Sequence, residues 1–350
     1  MQISEVVAVG VFCSYFSVIT GLLLIARSFS SQNRGGRVYV FIVLAVASFV
    51  HTWFYMFKFI AASHFSISGL GPHKGGSTLK KITHKILKLS PPWAHVCFGK
   101  ANWWWSQQLC LFTVGAWTIF RRRCHHIKLI WVYMLLGQFV AISIASNLFY
   151  LALVLAPRLP SPSSSHGTSS LPAPVALWLP ILLSLGTIAT SPFTSERSFL
   201  PNLLLMHTLI ILPLLVPDRL FPLAQASAEP KSSFAISLKT LYVVVFGAAL
   251  VLHACATGQA AGDPPVSIRN LALKAWNVLH SHPAQSSIGW DVIWTSILFV
   301  VWLILHPELQ PRVLPSSPTI KGRFLTAMYL VMATPLLLVG VLAPHVFWTT

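Results

Sequence analysis

Ser286–Ile304, SSIGWDVIWTSILFVVWLI, is an apolar run long enough to cross a bilayer, and it carries a carboxylate, Asp291, near its head. A carboxylate inside a membrane costs roughly 2.5–3.5 kcal/mol on insertion scales, so such groups face a bundle interior or a water-filled cavity. The chain has only 7 acidic residues, which makes this placement informative. Gly289 lets the chain turn closely, and Trp290 and Trp294, four apart, form one aromatic face on a helix beside the carboxylate. Asp291 has two readings: a functional carboxyl, or an acid in a helix's first turn, where the macrodipole favours negative charge by about 0.3–1 kcal/mol.

The pattern of this stretch recurs along the chain. Of 350 residues, 55% are hydrophobic and 9% charged, too little polar surface to coat a soluble globule. The apolar runs are continuous, not the alternating segments of a barrel. They predict an all-α polytopic integral membrane bundle, a single domain over 1–350 with about eight or nine transmembrane helices. Spans are expected at about Ser4–Ala26 (an uncleaved anchor), Val38–Ala62, Trp103–Phe120, Leu129–Ala156, Val175–Thr190, Leu200–Val216, Ala235–Thr257, Val292–Leu305 and Phe324–Val346. Leu271, Leu273, Trp276 and Leu279 give Ile268–His280 the spacing of an amphipathic helix lying along the interface.

Two connectors stand out. Residues 63–100 form a basic loop with six lysines, four histidines and no acid, and residues 157–174 form a Pro/Ser-rich loop. The formal charge of +17 would suggest nucleic acid in a soluble protein. Here Lys and Arg sit in connectors beside apolar spans, which points to membrane lipids with anionic headgroups and away from nucleic acid. They divide almost evenly between the two sets of loops, so the positive-inside rule assigns no orientation. The 5 cysteines are scattered singly, without CxxC spacing, and read as apolar fillers.

Several polar residues fall in or beside these spans. In WWWSQQ (103–108) three consecutive tryptophans point in three directions around a helix, and Trp104 pairs with Gln108 at i,i+4. An interfacial aromatic belt with polar glue and an inward aromatic pocket both fit this pattern. His51 is either a hydrogen-bonded packing histidine or one turned to the interior. Glu196 sits in a tight link between two spans, as a cap, an ion-pair partner or a functional acid. Asn202 and His207 follow on the next helix.

Absent motifs narrow the chemistry. There is no DDxxD or NxxxDxxxD for magnesium-assisted ionisation of a prenyl diphosphate, no HExxH or HxxxH for zinc, and no GxSxG. No metal and no cofactor is expected. Isolated carboxylates, amides, histidines and many aromatics remain. That inventory suits acid-initiated cyclisation of a polyene: an acid protonates an epoxide or olefin, aromatic faces stabilise the migrating cation, and a base ends the cascade. The same inventory also suits a small-molecule transporter, and a non-catalytic membrane subunit of a biosynthetic pathway is the other alternative.

WWWSQQLCLFTVGAW (103–117), SPFTSERSFLPNLLLMHTLIILP (191–213) and HPAQSSIGWDVI (282–293) resemble the corresponding stretches of fungal membrane-bound terpene cyclases of the ascofuranone, ascochlorin and macrophorin type. The resemblance implies cyclisation of the terpenoid chain of a prenylated aromatic or quinone precursor, in the endoplasmic-reticulum membrane. By matching position it carries over Trp104, Gln108, Glu196, Asn202, His207, Trp290 and Asp291. Among these, Asp291, Glu196 and His207 are the catalytic candidates, with Asp291 expected as the initiating acid and the other two completing its polar surroundings. Trp104, Gln108, Asn202 and Trp290 are the candidates for holding a hydrophobic prenylated substrate. This chain departs from the pattern in having no acid between Glu5 and Glu196, and its layout is longer than the five to seven helices of the better-known meroterpenoid cyclases.

Overall fold

The computed structural model describes residues 35–68, 96–123, 130–155, 172–173, 175–215, 235–262, 267–305, 328–329, 334 and 338–344. Of these, 92% are helical, so the backbone satisfies itself within each segment, as a bilayer requires. The expected first span, most of the ninth and most of both loops lie outside the described residues.

In chain order the helices are α1 (Gly35–Ser68), α2 (Lys100–Arg123), α3 (Ile130–Phe139), α4 (Ile142–Leu155), α5 (Val175–Thr190), α6 (Glu196–Leu215), α7 (Leu238–Ala261), α8 (Ile268–His280) and α9 (Pro283–Leu305). One 3-10 turn, Ser191–Phe193, joins α5 to α6. A two-residue antiparallel ladder, Pro172–Ala173 (β1) with Ile236–Ser237 (β2), ties the approach to α5 to the approach to α7. Among the described residues five stretches are long and apolar enough to cross a membrane: Val38–Phe59, Val175–Phe193, Glu196–Leu214, Leu238–Ala261 and Pro283–Leu305. Their outer faces carry exposed Val43, Phe54, Leu183, Leu205 and Val251, apolar surface that only lipid or another apolar body covers without cost. The chain is a helical membrane protein.

Two groups of helices meet across α2. On one side α9 packs on α1 and α4, and α1 packs on α4; on the other α5 packs on α6 and α7. α2 touches α9, α7, α5, α6 and α8, and its composition fits that central place. Trp103, Trp105, Ser106, Gln107 and Gln108 are buried and Trp104 is half-buried, so most of the tryptophan run forms interior wall. Small residues permit the closest approach. A Cβ added to Gly340, in the helix at 338–344, would stand 2.9 Å from the Gln108 carbonyl oxygen, and one added to Gly115 would stand 2.7 Å from Pro344 Cγ.

Three expectations are corrected. α1 runs on to Ser68, so the basic loop does not begin at residue 63. The span expected over Leu129–Ala156 is two helices, broken at Val140–Ala141: the α3 ladder ends with Val140 N–H on the Leu136 carbonyl, and the α4 ladder begins at Ala141. α9 begins at Pro283, which places Asp291 more than two turns inside it and overturns the first-turn reading of that residue. The amphipathic segment is present as α8, with Leu279 buried and Ile268, Leu273 and Trp276 exposed.

Candidate functional site

α9 presents Asp291 and Trp290 to different neighbours, because adjacent helical residues diverge by about 100°. The Asp291 side turns to the break between α3 and α4. A helix start leaves its first N–H groups without intrahelical partners, and the residue at the cap position of α4, Ala141, has no side-chain acceptor. Asp291 supplies both acceptors from another helix: Oδ2 takes the Ile142 N–H at 2.9 Å and Oδ1 the Ser143 N–H at 2.8 Å. The carboxylate is buried, and it stands where the α4 dipole favours negative charge. The dipole argument made from sequence therefore holds for a helix whose first capped residue lies 149 positions away.

The Trp290 side turns to α1. Its ring lies over His51, with centroids 4.3 Å apart. Trp294 Nε1–H donates to His51 Nδ1 at 3.1 Å, and Tyr55 stands 5.6 Å from the imidazole. Further along the seam Ser287 Oγ donates to the Thr52 carbonyl at 3.2 Å.

Trp104 and Gln108 share a face of α2, as their spacing predicts, and that face meets α7. Trp104 Nε1–H donates to Thr257 Oγ1 at 2.9 Å, Gln108 Nε2 lies 2.8 Å from His253 Nδ1, and the Trp104 and His253 rings are 5.9 Å apart. His253 is buried and was not anticipated, since one histidine in an otherwise apolar span carries no periodic signal. The second face, Trp105, donates to the Ala275 carbonyl of α8 at 3.2 Å and packs against Leu279 and Val292.

The remaining candidates lie on α6. Glu196 is exposed in its first turn, while capping falls to Ser195 and Ser198, which exchange hydrogen bonds: Ser198 Oγ accepts from Ser195 N–H at 2.9 Å and Ser195 Oγ from Ser198 N–H at 3.3 Å. Asn202 donates to the Thr187 carbonyl and to Ser191 Oγ, both at 2.9 Å, tying the α5 end to α6. His207 Nδ1 donates to the Leu203 carbonyl at 2.7 Å, so in the neutral ring Nε2 keeps its lone pair. Gln138, at the end of α3, donates to the His207 carbonyl at 3.3 Å. The α3–α4 break is therefore held by Asp291 on one side and approached by His207 through Gln138 on the other.

The structure thus does not gather the seven sequence candidates into one constellation. It distributes them over the α9–α4 contact, the α9–α1 seam, the α2–α7 contact and the α5–α6 corner. None of them lines the small apolar crevice between α2, α5 and α7, whose walls include Val114, Leu177, Ile181 and Tyr242. Among the described residues no three His, Cys, Asp or Glu side chains gather in a way that could hold a metal ion. Comparison with protein-family models, with curated proteins and with solved structures gave no match to this chain.

Proposed function

We propose that this chain is a membrane-bound terpene cyclase of the endoplasmic reticulum, with eight or nine spans. It would cyclise the terpenoid chain of a prenylated phenol or quinone by proton transfer, without a metal. The observation that carries this reading is that the three stretches bearing the family resemblance, far apart in sequence, lie on α2, on the α5–α6 corner and on α9, and α2 packs against both α6 and α9. Asp291 is the buried carboxylate available as the initiating acid. Each oxygen accepts one amide and keeps a second lone pair for the proton, and protonation weakens the hold on the first turn of α4. His207 Nε2, with its lone pair, is the candidate base that ends the cascade.

One observation favours a second reading. A broken helix inside the bundle is a device of secondary transporters, which aim the half-helix N-terminus at an anionic substrate group; α3–α4 has the break, with Asp291 standing where such an anion would sit. Incubating membranes that contain the protein with farnesylated phenols and their terminal epoxides separates the two. A cyclase yields products of unchanged mass and altered retention time. Redistribution of unaltered substrate across the membrane, with no isomer formed, would leave the transporter.

A further inference from the structure

Ring contacts fix the direction of α3 against α4. Tyr133 and Phe149 would stand about 24 Å apart along one continuous helix, yet their ring centroids are 5.5 Å apart. Nearer the break, a Cβ on Gly137 would stand 3.4 Å from the Ala145 Cβ. The chain therefore turns back on itself at Val140–Ala141, and α3 and α4 are the antiparallel arms of a hairpin. At its tip Ile142 and Ser143 donate to Asp291 of α9, and Gln138 donates to the His207 carbonyl of α6.

The neighbouring helices show where the arms lead. α4 runs parallel to α9, because Ser143 meets Asp291 and Tyr150 stacks on Trp302 with centroids 4.7 Å apart. α2 also runs parallel to α9, since Trp105 lies against Gly289 and Phe112 against Phe299. These three helices end on one face of the bundle. α7 runs the other way, its His253 meeting Gln108 and its Thr257 meeting Trp104, so it starts on that face. The ladder of β1 with β2 brings the start of α5 there too. The chain thus leaves α4 and enters α5 on the same face. Neither arm could cross alone: α3 is about 15 Å long and α4 about 21 Å, against a hydrocarbon core of about 30 Å.

We infer that α3–α4 is a re-entrant hairpin, which dips from one membrane face to the depth of Asp291 and returns to the same face, latched at its tip from α9 and α6. That depth is about 12 Å along α9 from its start. Irregular backbone inside a membrane is tolerated only where protein or a water-filled cavity meets it, and Asp291 supplies the acceptors that lipid lacks. Residues 130–155 then add no crossing, and the nine spans read from the sequence become eight. This placement is the same whether the chain cyclises its substrate or transports it.

Labelling of the full-length protein in sealed vesicles with a membrane-impermeant maleimide tests it, read by peptide mass spectrometry so that the native cysteines stay. Cys124 already stands between α2 and α3 in the sequence. Ser163→Cys, between α4 and α5, and Asn277→Cys, on the exposed side of α8, add two positions. α8 joins the end of α7 to the start of α9, on the opposite face. Each signal is divided by that from permeabilised vesicles. Cys124 and the Ser163→Cys position are expected to behave alike, both labelled or both protected, and the Asn277→Cys position to do the reverse. Protection of one connector with labelling of the other would overturn the inference, since residues 130–155 would then cross. So would labelling of all three positions from one side. Trypsin added to sealed vesicles of wild type gives a second readout without any substitution. Cleavage after Lys128 and after Arg158 should occur from the same side, and a cut at one with protection of the other would equally refute the hairpin.

Discussion

Trp290 and Asp291 are neighbours in the chain but belong to two different regions of the molecule. On the α4 side of α9 the carboxylate is matched: two backbone donors freed by the helix break meet its two oxygens. On the α1 side the contacts are between rings and an indole–imidazole hydrogen bond, and the Trp290 Nε1–H is buried without an acceptor. A satisfied buried network holds structure together, whereas an unmatched buried donor persists only where something else accounts for it. The first contact explains how the break between α3 and α4 is held, and the second how α1 is seated on α9.

Removing the matched carboxylate should have the largest effect. Asp291→Leu leaves two buried amides unpartnered and should cost about 2–4 kcal/mol of stability, seen as lower abundance and a lower melting temperature in detergent. Asp291→Asn keeps one acceptor and should cost about 1 kcal/mol, yet cut turnover about a hundredfold or more if Asp291 is the initiating acid. Near-wild-type activity in Asp291→Asn combined with loss in Glu196→Gln would move the acid to Glu196 and leave Asp291 purely as a cap.

The membrane class and the positions of most helices were legible in the sequence because long apolar runs allow few alternatives. The split of Leu129–Ala156 was not, because no proline marks Val140–Ala141 and the capping group comes from a distant helix. The face-sharing of Trp104 with Gln108 follows from their spacing, but their partner His253 lies in a span with no local feature to single it out. Scarcity identified Asp291 as the residue needing an explanation. Its first-turn reading identified the right interaction on the wrong helix, since a sequence does not say which neighbouring N-terminus a carboxylate faces.

At the α2–α7 contact, Trp104→Ala should cost about 3 kcal/mol of stability and most of any turnover. Trp104→Phe loses only the bond to Thr257, costs about 1 kcal/mol and retains some cyclisation. Equal effects of the two substitutions would mean that the indole ring itself does nothing there. A smaller effect is expected at the α8–α9 corner, where a Cβ on Gly289 would collide with Leu279. Gly289→Ala should lower stability by about 1–2 kcal/mol, and adding Leu279→Ala should relieve the clash; a melting temperature unchanged by Gly289→Ala would show that the corner is looser than described. Treatment with EDTA should change nothing, because the sequence lacks an acidic cage; turnover lost with chelator and restored by magnesium would refute proton-only initiation.

Hydrogen–deuterium exchange read by mass spectrometry on peptides spanning residues 140–150 tests most directly whether the two sides of α9 do different work. Asp291→Asn should speed exchange at the start of α4 about fivefold, the factor that about 1 kcal/mol gives, while Trp290→Phe leaves it at the wild-type rate. Equal exchange in wild type and Asp291→Asn, or acceleration by Trp290→Phe as large as that by Asp291→Asn, would contradict the division.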